Sequence, residues 1–250
     1  MSKQPKLVLR QSAVADLSKG WALGRFVEMG AGTGHMTQLF HARGFHGACH
    51  DLGEDSRTIM RRRLAPAGDA IQVVDSLDQL RDGSFDYLFA FEVLEHIEDD
   101  LGVLRQWLAK LRPGGRILIS VPAHARKYGE SDRLVGHVRR YERRELRALL
   151  ENAGVSQIRV VNYGYPITEV TRRVSNMLVR NDRSYDDLTP EQRSIRSAQV
   201  KPRTVQQVLK LVSGNVVTPF CVVQRWFYEM DLGDGLVASG VKQTDIAPTA

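Results

Sequence analysis

Short apolar runs and amphipathic segments alternate along most of this chain. The runs that predict strands are 25–29, 47–51, 70–74, 85–91, 116–121, 157–163 and 235–241. Between them, apolar residues recur at helical spacing, as at Leu101, Leu104 and Leu108 after the candidate helix caps Asp99 and Asp100. This alternation predicts a doubly wound α/β sheet of seven mostly parallel strands, with ligands at the carboxyl ends of the strands. The run 85–91 is apolar almost throughout, which predicts a central strand.

The alternation stops after residue 164. Segment 181–203 is polar and charged, whereas Thr218 and Pro219 have the features of a helix cap and first helical position. The apolar residues of that helix would share one face: Phe220, Val223, Phe227 and Met230. We therefore expect a core with an N-terminal extension at 1–164 and a last core strand with a tail at 233–250. Between them, 165–232 is expected to be a helical insertion that covers the ligand-binding end of the sheet.

Composition and charge add little to this picture. The chain has 250 residues, 42% of them hydrophobic, which suits one domain with an appendage. The formal net charge of +6, concentrated in the second half, is compatible with an anionic partner but also with a solvated basic face. Cys49 and Cys221 lie in apolar segments without metal or redox spacing. The absence of an apolar leader or membrane-spanning segment predicts a cytoplasmic protein.

The segment Glu28-Met29-Gly30-Ala31-Gly32-Thr33-Gly34 stands between the first strand and the first helix. Its glycines allow a tight turn and a close approach of a ligand to the backbone. The dinucleotide fingerprint requires a glycine where this chain has His35, and the phosphate-binding loop requires a lysine, which does not follow Gly34. The loop therefore predicts neither NAD or FAD nor a nucleoside triphosphate.

An acidic residue followed by G-x-G-x-G at a strand end resembles the first motif of the class I, Rossmann-like S-adenosylmethionine-dependent methyltransferases. The resemblance covers residues 24–165. It implies S-adenosylmethionine as cofactor, S-adenosylhomocysteine as product, and a site assigned as follows. The loop would be formed by Gly30, Ala31, Gly32 and Gly34. At one end of the site, Glu28 would hold the methionine ammonium, and Phe91 and Glu92 would line the methionine side. At the other end, Asp51 would bind the ribose hydroxyls, Leu52 would contact the adenine ring, and Asp75 and Ser76 would bind the adenine amine. A sulfonium cofactor with an ammonium and a ribose diol suits such strand-end carboxylates.

Methyl transfer requires a nucleophile in line with the methyl group, and a general base assists when that nucleophile is a hydroxyl. The catalytic candidates are His124, His137 and Tyr141, in the segment after the fifth strand. Segment 136–146 resembles a stretch that recurs in one broad bacterial subgroup of the family, which favours a position beside the pocket. The alternative for His137 and Tyr141 is hydrogen bonding to neighbouring loops.

Two charged groups complete the candidate chemistry. Arg139 and Arg140 are candidates for binding an anionic acceptor such as a carboxylate, against the alternative of solvent-exposed charges. Acidic and histidine side chains cluster after the fourth strand at Glu95, His96, Glu98 and Asp99. They lie on one local turn without an evident partner set, so the sequence predicts no metal.

These observations predict methylation of an oxygen or nitrogen of a small-molecule acceptor, of natural-product or secondary-metabolite type and compatible with an anionic group. Basic residues near the apolar segment 218–230 leave open a lipid-like, membrane-bound acceptor with peripheral membrane contact. A non-catalytic S-adenosylmethionine-binding protein is a further alternative. A nucleic-acid substrate is disfavoured, because the chain lacks an aromatic-interleaved basic module and an Asn-Pro-Pro-Tyr motif. The oligomeric state is not predicted.

Overall fold

A seven-stranded sheet forms the centre of the computed structural model, which describes residues 5–169, 171–173 and 217–244. The strands are β1 (Arg25–Met29), β2 (His46–His50), β3 (Ile71–Val74), β4 (Phe85–Phe91), β5 (Leu111–Pro122), β6 (Val155–Tyr163) and β7 (Gly235–Lys242). Their spatial order is β3-β2-β1-β4-β5-β7-β6. Only β7 runs antiparallel to its neighbours, β5 and β6. The predicted fold class is confirmed, and β4 is the central strand.

Helices cover both faces of the sheet. They are α1 (Pro5–Leu17), α2 (His35–Ala42), α3 (Glu54–Leu64), α4 (Asp100–Lys110), α5 (Glu130–Val135) and α6 (Arg143–Asn152). One core cluster packs α4 and α6 on one face, and the other packs α1, α2 and α3 on the opposite face. Successive strand residues alternate between the two faces, so Leu88 and Phe89 of β4 belong to different clusters. Both faces of the central strands are therefore buried.

Helix α1 is an element that the sequence analysis did not predict. Leu9, Ala13 and Leu17 recur every four residues and are buried against the sheet, so the helical period was present in the sequence. The helix joins the core cluster that also contains Tyr163 of β6. The N-terminal extension is thus part of the core.

The segment before β7 differs from its prediction. The helix ends early, with α-helix at Phe220–Val223 and 3₁₀-helix at Gln224–Phe227. Met230 is 52% exposed, so the expected four-residue apolar face is wrong at that position. Gln224 is buried instead, and its amide donates to the carbonyl of Leu9 at 3.0 Å. This segment therefore docks on α1.

The expected division at 165–232 stays a prediction, because much of that range, including the polar segment 181–203, lies outside the described residues. Cys49 is buried in the core, as expected, and Cys221 is half-buried and packs against the same core cluster. Within the described ranges, no helix is both long and apolar enough to cross a membrane.

Candidate active site

The glycine loop leaves β1 in a left-handed turn. Gly30, Gly32 and Gly34 have φ values of 61°, 55° and 77°, which disfavour residues with a side chain. A Cβ atom on Gly30 would lie 2.6 Å from a methyl carbon of Val93, so the loop packs directly on the segment that follows β4. The amide of Ala31 donates to the carbonyl of His50 at 2.9 Å. The loop is therefore fixed to the carboxyl ends of β2 and β4.

Asp51 follows β2, and its carboxylate is hydrogen-bonded to the glycine loop. Its two oxygens accept from the amides of Gly32 at 2.8 Å and Gly53 at 3.0 Å. Each oxygen keeps lone-pair capacity, because a carboxylate oxygen accepts more than one hydrogen bond. The neighbouring Leu52 side chain is 83% exposed and available to an apolar ring. This arrangement fits a ribose diol joined to a base, the role that the resemblance implies.

Asp75 and Ser76 lie one strand further, at the end of β3. The Asp75 carboxylate accepts from Arg57 at 3.0 Å and from Arg61 at 2.6 Å, and these bonds, with Arg61 the larger cause, lower its pKa. The Ser76 hydroxyl caps a short 3₁₀-helix by accepting from the amide of Asp78 at 3.2 Å. Both groups therefore have protein partners, and their contact with adenine stays a prediction.

Glu28 is buried at the end of β1. The hydroxyl of Thr37 donates to its carboxylate at 2.5 Å. Burial raises the pKa of Glu28 to about 8, although the hydrogen bond from Thr37 opposes the shift. A buried carboxyl group with this pKa fits a cationic ligand, because an adjacent ammonium would favour its ionised form.

Glu92 follows β4 with a positive φ of 59°. Its carboxylate lies 2.6 Å from Nζ of Lys6 and 3.7 Å from a guanidinium nitrogen of Arg10. Burial alone would raise the pKa of Glu92, but these two cations outweigh it and hold the pKa below its ordinary range. Lys6 and Arg10 were missed by the sequence analysis, because they belong to the unpredicted α1. Helix α1 therefore covers Glu92, the position that the resemblance assigns to the methionine side of the cofactor.

Phe91 packs in the aromatic core, and its predicted contact with the cofactor stays a prediction. Its ring is buried, and the ring centroids of Phe40 and Phe89 lie 6.3 and 6.0 Å away in stacked geometry. Alternation along β4 turns Phe91 toward the α1–α3 face, whose aromatic core it completes. Its contribution to a cofactor site would be indirect, through the position of Glu92.

Two of the three catalytic candidates support the loops around them. The hydroxyl of Tyr141 donates to Asp100 at 2.9 Å and lies 3.2 Å from the carbonyl of Leu94. Burial raises the pKa of Tyr141 well above its ordinary value. His124 is buried, and its Nδ1 lies 3.0 Å from a carboxylate oxygen of Glu142. The hydrogen-bonding alternative therefore describes Tyr141, and it describes His124 as well.

The arginine pair is also engaged within the protein. Arg140 is buried and donates to Asp132 at 2.9 Å and to Asp234 at 3.0 Å. Arg139 donates to Asp100 at 2.9 Å. Arg140 is thus a buried, internally paired group and not a solvent-exposed charge, whereas the Arg139 side chain is 37% exposed, and an anionic subsite at these arginines stays a prediction. The carboxylates that hold them come from distant parts of the chain, which local sequence patterns do not reveal.

His137, the third candidate, lies in a cluster with Glu95 and His96. Its Nδ1 is 2.8 Å from a carboxylate oxygen of Asp132, and its Nε2 is 3.7 Å from a carboxylate oxygen of Glu95. The rings of His96 and His137 meet edge to face, with centroids 4.8 Å apart. Glu98 and Asp99 lie elsewhere: Asp99 caps α4. The cluster therefore contains a distant histidine that the sequence analysis did not connect with Glu95 and His96.

Comparison with known proteins places these features in a family. A family model described as a methyltransferase domain matches residues 5–159. A ubiquinone biosynthesis O-methyltransferase of Aeromonas salmonicida is 29% identical over 117 residues, covering 45% of this chain and 49% of that protein. The chain thus matches about half the length of such curated relatives.

Solved structures show the same fold. Phosphoethanolamine N-methyltransferase 2 of Haemonchus contortus, in complex with S-adenosyl-L-methionine, has a TM-score of 0.59 and 18% identity, covering 94% of this chain and 53% of that one. A SAM-dependent methyltransferase of Thermotoga maritima has a TM-score of 0.57 and 17% identity, covering 96% and 92%. At these identities the likeness concerns the fold alone.

Proposed function

The chain belongs to the class I S-adenosylmethionine-dependent methyltransferases, and we propose that it transfers the methyl group to a hydroxyl oxygen of a small organic acceptor. S-Adenosylmethionine binding is supported mainly by Asp51. Its carboxylate accepts from the amide of Gly32 in the glycine loop and from the amide of Gly53 after β2. The choice of oxygen is supported by the relatives that are named ubiquinone biosynthesis O-methyltransferase. An N-methylating enzyme is the competing outcome.

The described residues fit the cofactor at each end. Asp51 would accept the ribose hydroxyls, and Glu28 would face the methionine ammonium. Arg10 supplies a further group: its Nε is buried and has no hydrogen-bond partner among the described residues. A buried unpaired donor is costly, and the methionine carboxylate would satisfy it. Arg10 is therefore the candidate for the carboxylate end of the cofactor.

The bound cofactor supplies an electrophilic methyl group on a sulfonium, so the protein has to align the acceptor and exclude water. Helix α1 contributes to this exclusion, because Lys6 and Arg10 close the methionine end over Glu92. The acceptor hydroxyl loses its proton as the new bond forms. Tyr141 donates its own proton to Asp100 and is poorly placed to accept this one, whereas Nδ1 of His124 faces Glu142 and its Nε2 lies 3.5 Å from the side-chain amide nitrogen of Asn162.

The test has a binding arm and a turnover arm. Asp51→Ala should weaken S-adenosylhomocysteine binding by about 30- to 150-fold in calorimetry, because charged hydrogen bonds of this kind contribute about 2 to 3 kcal/mol. Asp75→Ala is the matched control and should weaken binding less, since Asp75 is exposed and already paired with Arg57 and Arg61. Unchanged affinity in Asp51→Ala would remove Asp51 from the site.

In the turnover arm, S-adenosylhomocysteine formation is measured with phenols, catechols and aliphatic alcohols against amines of similar size. The proposal expects turnover with hydroxyl acceptors. Turnover restricted to amines would contradict it, and the absence of turnover with intact cofactor binding would favour a non-catalytic binding protein. Presenting a long-chain phenol in vesicles and in detergent separates a lipid-like acceptor from a freely soluble one.

A further inference from the structure

Three side chains of metal-ligating type converge behind the end of β4. Glu95 and His96 lie in the 3₁₀ turn Leu94–His96, and His137 follows α5. One ligand atom from each side chain, a carboxylate oxygen and two imidazole nitrogens, lies within 4.8 Å of the other two. The sequence argument against a metal depended on the lack of a partner set near Glu95 and His96. The fold supplies that partner as His137.

Glu95 is the least satisfied of the three groups. Its side chain is 0% exposed, and neither carboxylate oxygen has a hydrogen-bond partner within the described residues. A buried carboxylate without partners is strongly unfavourable, and binding a cation is one of the few ways to stabilise it.

Both histidines are oriented as metal ligands usually are. Nδ1 of His96 lies 3.1 Å from the carbonyl of Gly136, and Nδ1 of His137 lies 2.8 Å from a carboxylate oxygen of Asp132. Because these partners accept hydrogen bonds, each Nδ1 carries the proton and each Nε2 keeps its lone pair. Metal-binding histidines typically donate their second nitrogen in this way to a carbonyl or a carboxylate.

The surroundings hold these orientations in place. Asp132 also accepts from the guanidinium of buried Arg140 at 2.9 Å and from the amide of Gly129 at 2.9 Å, so its carboxylate is fixed from three sides.

We propose that Glu95, His96 and His137 form a binding site for a divalent first-row transition-metal ion. Two imidazole nitrogens and one carboxylate suit Mn²⁺, Fe²⁺, Co²⁺ or Zn²⁺, whereas Mg²⁺ and Ca²⁺ prefer oxygen ligands only. Three protein ligands leave coordination positions open for water or for an oxygen of a ligand. The site is thus of the open kind, built for exchange at the metal.

The position of the cluster links it to methyl transfer, and this step rests on the proposed function. The turn carrying Glu95 and His96 follows Val93, which packs on Gly30 of the cofactor loop. An acceptor hydroxyl coordinated there would have a lowered pKa and would release its proton to solvent. Its oxygen would then form the new bond to the methyl group, while the electron pair of the breaking sulfur–carbon bond stays on sulfur and yields S-adenosylhomocysteine.

Metal binding is measured on tag-free full-length protein stripped with a chelator, without cofactor or acceptor. Co²⁺ is followed by its visible absorption and Mn²⁺ by electron paramagnetic resonance. We expect one equivalent to bind, and Mg²⁺ at the same concentration not to displace it. Asp132→Asn should weaken metal binding by about 10- to 100-fold, the loss typical of residues that only orient a metal ligand. His96→Ala and His137→Ala each remove a ligand and should weaken binding by more than this.

His46→Ala is the matched control, since His46 is exposed at the start of β2 and should leave binding unchanged. Should a histidine variant fail to fold, Glu95→Gln decides, because the neutral amide keeps the shape of a buried group. No stoichiometric binding by the native chain, or equal binding in Glu95→Gln, would overturn the site. Metal binding without any methyl transfer would count against the proposed function alone, and methyl transfer without metal binding against the metal site alone.

Discussion

The two halves of the candidate site are built in different ways. The cofactor half, at the ends of β1 and β2, joins the glycine loop to Asp51 through backbone amides of short neighbouring segments. The acceptor half, beyond β4 and β5, joins side chains from distant segments, as when Arg140 bridges Asp132 and Asp234. The first half is a property of motifs. The second half is a property of the tertiary fold.

The halves also differ in how their charges are satisfied. In the cofactor half, buried Glu28 has a hydroxyl as its hydrogen-bond partner, and Asp51 accepts from the amides of Gly32 and Gly53. In the acceptor half, Asp132 and Asp234 share the guanidinium of Arg140, while Glu95 has no hydrogen-bond partner within the described part of the chain. A cationic ligand is therefore expected at both halves: an ammonium beside Glu28 and, as proposed, a metal ion beside Glu95.

Gly32→Val should produce the largest effect and isolate the cofactor half. Its φ of 55° disfavours a β-branched residue, and the new side chain would occupy the space where a cofactor approaches the loop. We expect no measurable S-adenosylhomocysteine binding in calorimetry, with metal binding at the other half retained. Gly83→Val is the matched control, because Gly83 has a similar φ of 65° but open space around its Cβ position. Equal losses of binding in both variants would show that backbone strain, and not the lost space, is the cause.

The same contrast explains what the sequence could predict. The glycine loop, Asp51 and the alternation of strands and helices follow from local period and spacing, so they were readable without a structure. Lys6 and Arg10 were missed because no motif connects α1 with Glu92, although the recurrence of Leu9, Ala13 and Leu17 did indicate a helix. The roles of His124 and Tyr141 could not be read, because their partners Glu142 and Asp100 are identified only by folding.

Glu28→Gln tests the charge of the cofactor half through pH. The folded-state pKa of about 8 lies above the ordinary value of 4.5, so between these values the folded protein holds a proton that the unfolded chain releases. The free energy of unfolding of the native chain should therefore fall as pH rises through this window. The variant does not titrate, so its advantage should grow from near zero at pH 5 to about 4 kcal/mol at pH 9, measured by urea unfolding.

The same variant should bind S-adenosylhomocysteine more weakly, because the amide cannot pair with the ammonium. Thr37 can still donate to the amide oxygen, which keeps the local hydrogen bond. A stability difference that does not change with pH would mean that Glu28 titrates normally. A gain in stability with unchanged affinity would instead remove the ammonium contact while leaving the buried carboxyl in place.

Tyr141→Phe should have the smallest effect, and it tests whether the acceptor half contains a catalytic tyrosine. The variant loses the hydrogen bond to Asp100, whose carboxylate keeps its bond from Arg139 at 2.9 Å. We expect a loss of about 1.5 to 3 kcal/mol, or about 3 to 12 °C in Tm, because the acceptor of the lost hydrogen bond is a carboxylate. Methyl transfer should stay within about threefold of native turnover, since the hydroxyl is buried against Asp100 and not presented to an acceptor.

Tyr87→Phe is the matched control, because its hydroxyl likewise makes one bond, to the carbonyl of Ala22 at 2.8 Å, near the start of β4 and away from the site. Turnover that falls by about 100-fold or more in Tyr141→Phe alone, with both variants still folded at the assay temperature, would make Tyr141 a catalytic residue and would show that the acceptor half rearranges when substrates bind.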